Sequence, residues 1–144
     1  MPLALFGPGF QWMYNDAHQD ETRITNKFFT NSEAGKAGET VKLVNGRWTK
    51  ASATDVPGGI LVADVVAGTN VRCEVILIRP GDWFNVKYTG TPAGGFTEGV
   101  NAVAIAADGL SINAATVTGG AVAVKDINTT NQTATVCFKL RQFS

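Results

Sequence analysis

The sequence predicts an all-β protein, a small β-barrel or sandwich body preceded by an extended, mostly irregular N-terminal arm. From Lys36 to Tyr88 the chain reads as strand, turn and strand with no helical interruption. The later half continues with short alternating runs separated by turn dipeptides such as Asp108-Gly109. We therefore expect one domain of 144 residues in two parts, an arm over residues 1–37 and a body over residues 38–144.

The most sharply defined element is a β-hairpin near the start of the body. The run from Val41 to Val44 and the run from Arg47 to Lys50 are separated by Asn45-Gly46 alone. Asn-Gly tolerates the two positive φ angles that a type I′ turn requires, so the dipeptide predicts a tight hairpin.

Further strands are expected over residues 60–65, 71–79, 83–88, 100–106, 110–117, 121–127 and 133–143. In the run over 71–79 both faces are apolar, because Ile76 and Ile78 alternate with Val75 and Leu77. This pattern indicates either burial on both sides or contact with another subunit. Ile76, Ile78 and Trp83 are therefore candidate subunit-interface residues.

The arm is unusually rich in aromatic residues. Of the 13 aromatic residues in the chain, six lie within the first 36 positions: Phe6, Phe10, Trp12, Tyr14, Phe28 and Phe29. An irregular segment cannot bury these rings in itself, so it needs a surface on its own body or on a neighbouring molecule. We expect these six residues to bind a partner. We also expect that deletion of residues 1–31 leaves a folded body that binds this partner weakly.

Composition and charge narrow the classes of partner. Twelve acidic and twelve basic side chains give a net charge of zero, which offers no long-range attraction for nucleic acid or anionic lipid. The N-terminus lacks the basic residues of a secretory signal, and the longest apolar run is too short to span a bilayer. We therefore expect synthesis in the cytoplasm and no nucleic-acid or membrane partner.

Residues with catalytic or metal-binding chemistry are few. His18 is the only histidine, and its neighbours Asp16, Asp20 and Glu21 are more typical of a solvated polar surface than of a metal site. No serine or cysteine lies in a recognisable nucleophile turn. Cys73 lies on an apolar face of its predicted strand, whereas Cys137 lies on the face opposite the apolar residues of its strand. The two thiols are therefore expected in different environments, which favours free thiols over a disulfide. The sequence predicts neither enzymatic activity nor a cofactor or metal.

Carbohydrate binding is the alternative from another functional class. Trp48, Trp83 and Tyr88 lie in predicted strands, and aromatic rings on one face of a sheet can stack on sugar rings. The competing interpretation is that the three rings fill the core or an interface.

Several segments of the body resemble the decoration (cement) proteins on the heads of tailed bacteriophages. They are GETVKLVNGRW at 38–48, GILVAD at 59–64, AGT at 67–69, RPGDWF at 79–84, YTGTP at 88–92 and NTTNQTATV at 128–136. These motifs are structural turns and strands, and none is catalytic.

The resemblance implies a structural protein on the outer surface of the virion capsid. Such a protein binds the assembled head, commonly as a homotrimer, and clamps neighbouring subunits of the major capsid protein together. A head-fibre base or a tail-associated β module is the alternative among structural proteins.

Overall fold

The computed structural model describes residues 8–144, so the expectation for Phe6 lies outside the described residues. These residues form strands and connecting turns with no helix, and the predicted all-β fold is confirmed. Among them no helix has the length and apolar character needed to cross a membrane.

Residues 8–144 contain twelve strands, which form two six-stranded sheets. The first sheet contains β1 (Gln11–Asn15), β8 (Asp82–Thr89), β9 (Ala104–Ile105), β10 (Ser111–Asn113), β11 (Val122–Asn128) and β12 (Thr133–Phe138). The second sheet contains β2 (Arg23–Ile24), β3 (Phe28–Phe29), β4 (Thr40–Val44), β5 (Arg47–Lys50), β6 (Gly59–Leu61) and β7 (Val75–Leu77).

In the first sheet, β8 is the longest strand and organises the others. The strand order of this sheet is β11-β12-β8-β10-β9. On the side of β8 that faces away from β12, β1 pairs antiparallel with the first half of β8 and β10 pairs parallel with the second half. The outer edge of β11 is covered by the segment over residues 99–103, whose backbone bonds to Val122 and Val124. Covering this edge removes a template for unwanted strand pairing.

The second sheet, with order β2-β7-β6-β4-β5-β3, curls into a half-barrel. Its last strand, β3, pairs with β5 on one side and meets the chain before β7 on the other, through a Phe28–Arg72 bridge and a Phe29 N–H to Val71 carbonyl bond of 2.8 Å. The hairpin of β4 and β5 turns at Asn45 and Gly46, with φ of 50° and 80°, as the sequence predicts.

Two cores result from this arrangement. The intersheet core lies between the sheets and includes Ile60 and Ile76 from the second sheet and Phe84 and Val136 from the first. The half-barrel core fills the concave side of the second sheet, with Trp48 as its largest residue. Cys73 is buried and Cys137 half-buried, and both thiols are free, as expected.

The described part of the predicted arm is built into both sheets. Its backbone is extended and mostly irregular, with only β1, β2 and β3 assigned as strands. However, β1 completes the first sheet, and β2 and β3 form both ends of the second. The strands of residues 8–37 therefore share their sheets with strands of residues 38–144, because their backbone hydrogen bonds go to the body.

Candidate functional site

Two of the six predicted partner-binding residues are fully enclosed by their own chain. Phe10 belongs to the intersheet core, where its ring centroid lies 5.3 Å from that of Phe138. Phe29 belongs to the half-barrel core and is 0% exposed. The expectation that these rings contact a partner is wrong, because the body itself provides the apolar surface that they require.

Ile76 and Ile78 are also core residues. Both pack in the intersheet core, while their neighbour Val75 on the opposite face of β7 packs in the half-barrel core. Of the two explanations that the apolar pattern left open, burial on both sides is therefore correct. The expected subunit interface at these two isoleucines is wrong, whereas Trp83 stays partly exposed.

The three other described aromatic residues of the N-terminal arm, which we call the leader, lie at the surface or close to it. Trp12 and Phe28 are half-buried, and Tyr14 is 39% exposed. Phe28 on the half-barrel sheet lies between two cations, with the guanidinium carbons of Arg47 and Arg72 at 5.4 and 4.7 Å from its ring centre.

Tyr14 and Trp83 meet on the outer face of the first sheet. They are cross-strand neighbours on β1 and β8, and their rings stack with centroids 6.5 Å apart at an interplanar angle of 25°. Lys125 on β11 reaches over β12 to the same place. Its ammonium lies 4.5 Å from the Trp83 ring centre and donates a 2.6 Å hydrogen bond to the Tyr14 hydroxyl. We call Tyr14, Trp83 and Lys125 the aromatic clamp.

Two β-bulges position the aromatic clamp. The register of β1 against β8 shifts at Met13, and the register of β11 against β12 shifts at Lys125. A bulge inserts an unpaired residue and re-aims the side chains around it. Tyr14 therefore shares the outer face with Trp83, although Trp12, two positions earlier, pairs with Phe84 and packs against the intersheet core.

Polar contacts hold both rings in place. The indole N–H of Trp83 donates to the carboxylate of Asp16 at 3.0 Å. The hydrogen bond to Tyr14 is the main cause that raises the pKa of Lys125, so the ammonium keeps its charge across the physiological range. A cation over an indole face is a favourable electrostatic contact. The Lys125 ammonium therefore already occupies one face of the Trp83 ring before any partner binds.

A shallow depression of about 370 Å³ adjoins the aromatic clamp. It is lined by Trp83, Glu98, Gly99, Val100, Ala123, Val124 and Lys125. Met13, which is 46% exposed, adds an apolar side chain next to Tyr14. The surface thus combines exposed aromatic area with a concavity, and aromatic residues are enriched in protein-binding faces.

The rings proposed for sugar stacking do not share a surface. Trp48 is 1% exposed in the half-barrel core, and Tyr88 is 7% exposed in the intersheet core against Phe96. Of these three rings only that of Trp83 reaches solvent, and the Lys125 ammonium lies over it. Core filling is therefore the correct interpretation for Trp48 and Tyr88.

Residues 8–144 contain no group of three or more His, Cys, Asp or Glu side chains that could hold a metal ion. His18 is exposed in a turn with φ of 60°, and its backbone N–H donates to the Asn15 carbonyl at 2.9 Å. Its position is that of a turn residue.

Sequence reasoning identified Tyr14 and Trp83 and missed Lys125. The lysine is 111 positions from Tyr14, and its side chain reaches the pair only because β11, β12, β8 and β1 lie side by side. The strand order, which the sequence does not specify, determines this contact.

When the sequence is compared with protein-family models and with curated proteins, it matches none of them.

Proposed function

We propose that this protein is a decoration protein of a tailed-bacteriophage head, which binds the outer surface of the assembled capsid and clamps neighbouring major capsid subunits. The proposal combines the resemblance of the body segments to such proteins with the aromatic clamp. The aromatic clamp is the observation that supports the choice of binding face. The leader supplies Tyr14 to this face but does not act as a free arm.

The clamp has the properties expected of an interface anchor. Tyr and Trp dominate the energetics of protein interfaces when they become desolvated at the centre of a patch. Lys125 and Asp16 already fix the Tyr14 and Trp83 rings, so little side-chain entropy is lost on binding. The patch carries one cation, Lys125, and two carboxylates, Asp16 and Glu98, and this small net charge suits attachment by shape and apolar contact.

A homotrimer is the proposed working state. Three copies of one modest contact bind in succession at high effective concentration, so that weak individual faces attach tightly. Such avidity needs no long-range attraction, which agrees with a net charge of zero. The measured mass of the purified protein tests this state.

Co-sedimentation with undecorated phage heads tests the proposal. Wild-type protein is expected to pellet with the heads, and Tyr14→Ala and Trp83→Ala are each expected to weaken attachment by about tenfold or more. Phe28→Ala is the matched control, because Phe28 is also a ring flanked by cations but lies on the other sheet.

The two parts of the proposal fail in different ways. Wild-type protein that stays wholly in the supernatant overturns the decoration function. Wild-type binding that Trp83→Ala leaves unchanged overturns the binding face and leaves the function standing.

A further inference from the structure

A second concave site lies at the mouth of the half-barrel, away from the aromatic clamp. It has a volume of about 550 Å³, and its lining includes Ile24, Lys27, Leu43, Trp48, Leu77 and Phe143. This volume falls within the range of about 300–1,000 Å³ that is usual for ligand sites, and the walls are mainly apolar.

Trp48, one of the lining residues, has an unused hydrogen-bond donor. The residue is 1% exposed, and its indole Nε1 is buried with no acceptor among the described residues. The two other indoles are both satisfied, Trp12 by Asp82 and Trp83 by Asp16. An unpaired buried donor is costly, so an acceptor brought into the cleft would relieve the cost.

The C-terminal tail shows which kind of molecule this edge accepts. The side-chain amide of Gln142 accepts from the Leu43 N–H at 2.8 Å and donates to the Leu43 carbonyl at 2.7 Å. Leu43 lies in β4 beyond the point where β6 pairs with it, so this edge of the strand is free. Gln142 thus makes the two bonds that a residue of an added strand would make.

The tail covers the cleft only in part. Phe143 meets the Trp48 ring edge-on with centroids 6.3 Å apart, yet it remains 49% exposed. Gln142 is also exposed, and its backbone N–H is held by a single bond, to the Pro57 carbonyl at 3.0 Å. Three hydrogen bonds of Gln142 and the contact of Phe143 with Trp48 must break for residues 142–144 to leave the site. All three residues are exposed, as is typical of segments that open locally.

From these contacts we infer that the half-barrel mouth is a docking site for an extended peptide segment of a partner protein, which replaces residues 142–144. The peptide pairs with the Leu43 backbone and inserts a large apolar side chain between Leu43, Leu77 and Trp48. Its carbonyl accepts the Trp48 N–H. This is strand addition at a sheet edge, with the cleft selecting the side chain. The inference stands independently of the capsid proposal.

Nuclear magnetic resonance titration tests the inference with a defined probe. The probe is the peptide Phe-Lys-Leu-Arg-Gln-Phe-Ser, which copies residues 138–144, and the proteins are the full wild-type chain and its Gln142→Ala variant. The Trp48 indole resonance, assigned by its loss in Trp48→Phe, is expected to shift on binding while those of Trp12 and Trp83 stay in place. Binding to Gln142→Ala is expected to be about tenfold tighter, because its own tail competes less.

Specificity is tested with a second peptide that has alanine in place of its second phenylalanine, which we expect to bind at least about tenfold more weakly. Phe143→Ala, a second variant that frees the cleft, is expected to behave like Gln142→Ala. Dispersed amide spectra verify that each variant is folded. A Trp48 resonance that no peptide moves, or equal binding of the two peptides, overturns the inference. Dimerisation of Gln142→Ala without peptide also overturns it, because the occupant would then be a second copy of the chain.

Discussion

Trp12 donates its indole N–H to the carboxylate of Asp82 at 3.1 Å, and this bond ties the N-terminal leader to the longest strand of the body. Asn15 donates to the same oxygen at 2.8 Å. Arg79 closes the network from the other side, with a 3.0 Å ion pair to Asp82. The leader is therefore held by buried polar bonds as well as by buried rings.

The first prediction is that the leader is required for folding. Deleting residues 1–31 removes β1, β2 and β3 together with the buried rings of Phe10 and Phe29. Truncating one buried Phe costs about 3–5 kcal/mol, against a total stability of about 5–15 kcal/mol for a typical domain. We expect the truncated chain to be unfolded by circular dichroism, in contrast to the folded body expected from the sequence.

A shorter deletion provides the control for this prediction. Removing residues 1–7 keeps every contact that residues 8–144 make with one another, so a cooperative urea transition is expected to persist. A chain of residues 32–144 that folds would show that the leader is not required for folding.

The second prediction concerns Asp82, which is 1% exposed. Asp82→Ala leaves Arg79 without its anion and Trp12 and Asn15 without their acceptor. Removing one partner of a buried ion pair costs about 3 kcal/mol or more, so the free energy of unfolding in urea is expected to fall by about that amount. The exposed Asp20→Ala is the matched control and is expected to stay within about 0.5 kcal/mol of wild type. An equally small effect at both positions would contradict the network.

The third prediction is a loss of stability in acid that depends on Asp82. Burial tends to raise the pKa of this carboxyl, but the hydrogen bonds from Arg79, Asn15 and Trp12 outweigh burial and hold the pKa below its usual value. A lowered pKa stabilises the folded state above the unfolded value of about 3.9, and this contribution disappears as pH falls through the folded pKa. The stability difference between wild type and Asp82→Asn is therefore expected to shrink between about pH 6 and pH 3. A difference that stays constant over this range would rule out the linkage.

The fourth prediction has the opposite sign and concerns Glu39. Burial raises the pKa of this carboxyl, whose Oε1 accepts from the Lys36 N–H at 3.2 Å. Its Oε2 is buried and has no hydrogen-bond partner within residues 8–144. The favourable neutral form is present at low pH, and stability is lost as pH rises through the raised pKa. Glu39→Gln stays neutral, so its free energy of unfolding relative to wild type is expected to increase from about pH 4 to pH 8. A relative stability that is independent of pH, or that falls, would contradict a buried acid.

How far the sequence predicted this structure depends on the range of the interactions. The Asn45-Gly46 turn is local, and the structure has it where it was expected. The strand expected over 133–143 is also present, but it ends at Phe138. The destination of Phe10 and Phe29 was not predictable, because a ring in an irregular segment does not indicate which surface buries it. The two apolar faces of β7 had two explanations, and only the position of the strand between two cores decides between them.

The central proposal is that Tyr14 and Trp83 face the capsid. The most direct test is an electron-microscopy reconstruction of the protein bound to its phage head, at a resolution that orients the two sheets. We expect the outer face of the first sheet to lie against the shell, with Tyr14 and Trp83 in contact with a capsid subunit. A bound protein whose Tyr14 and Trp83 point into solvent would contradict this account.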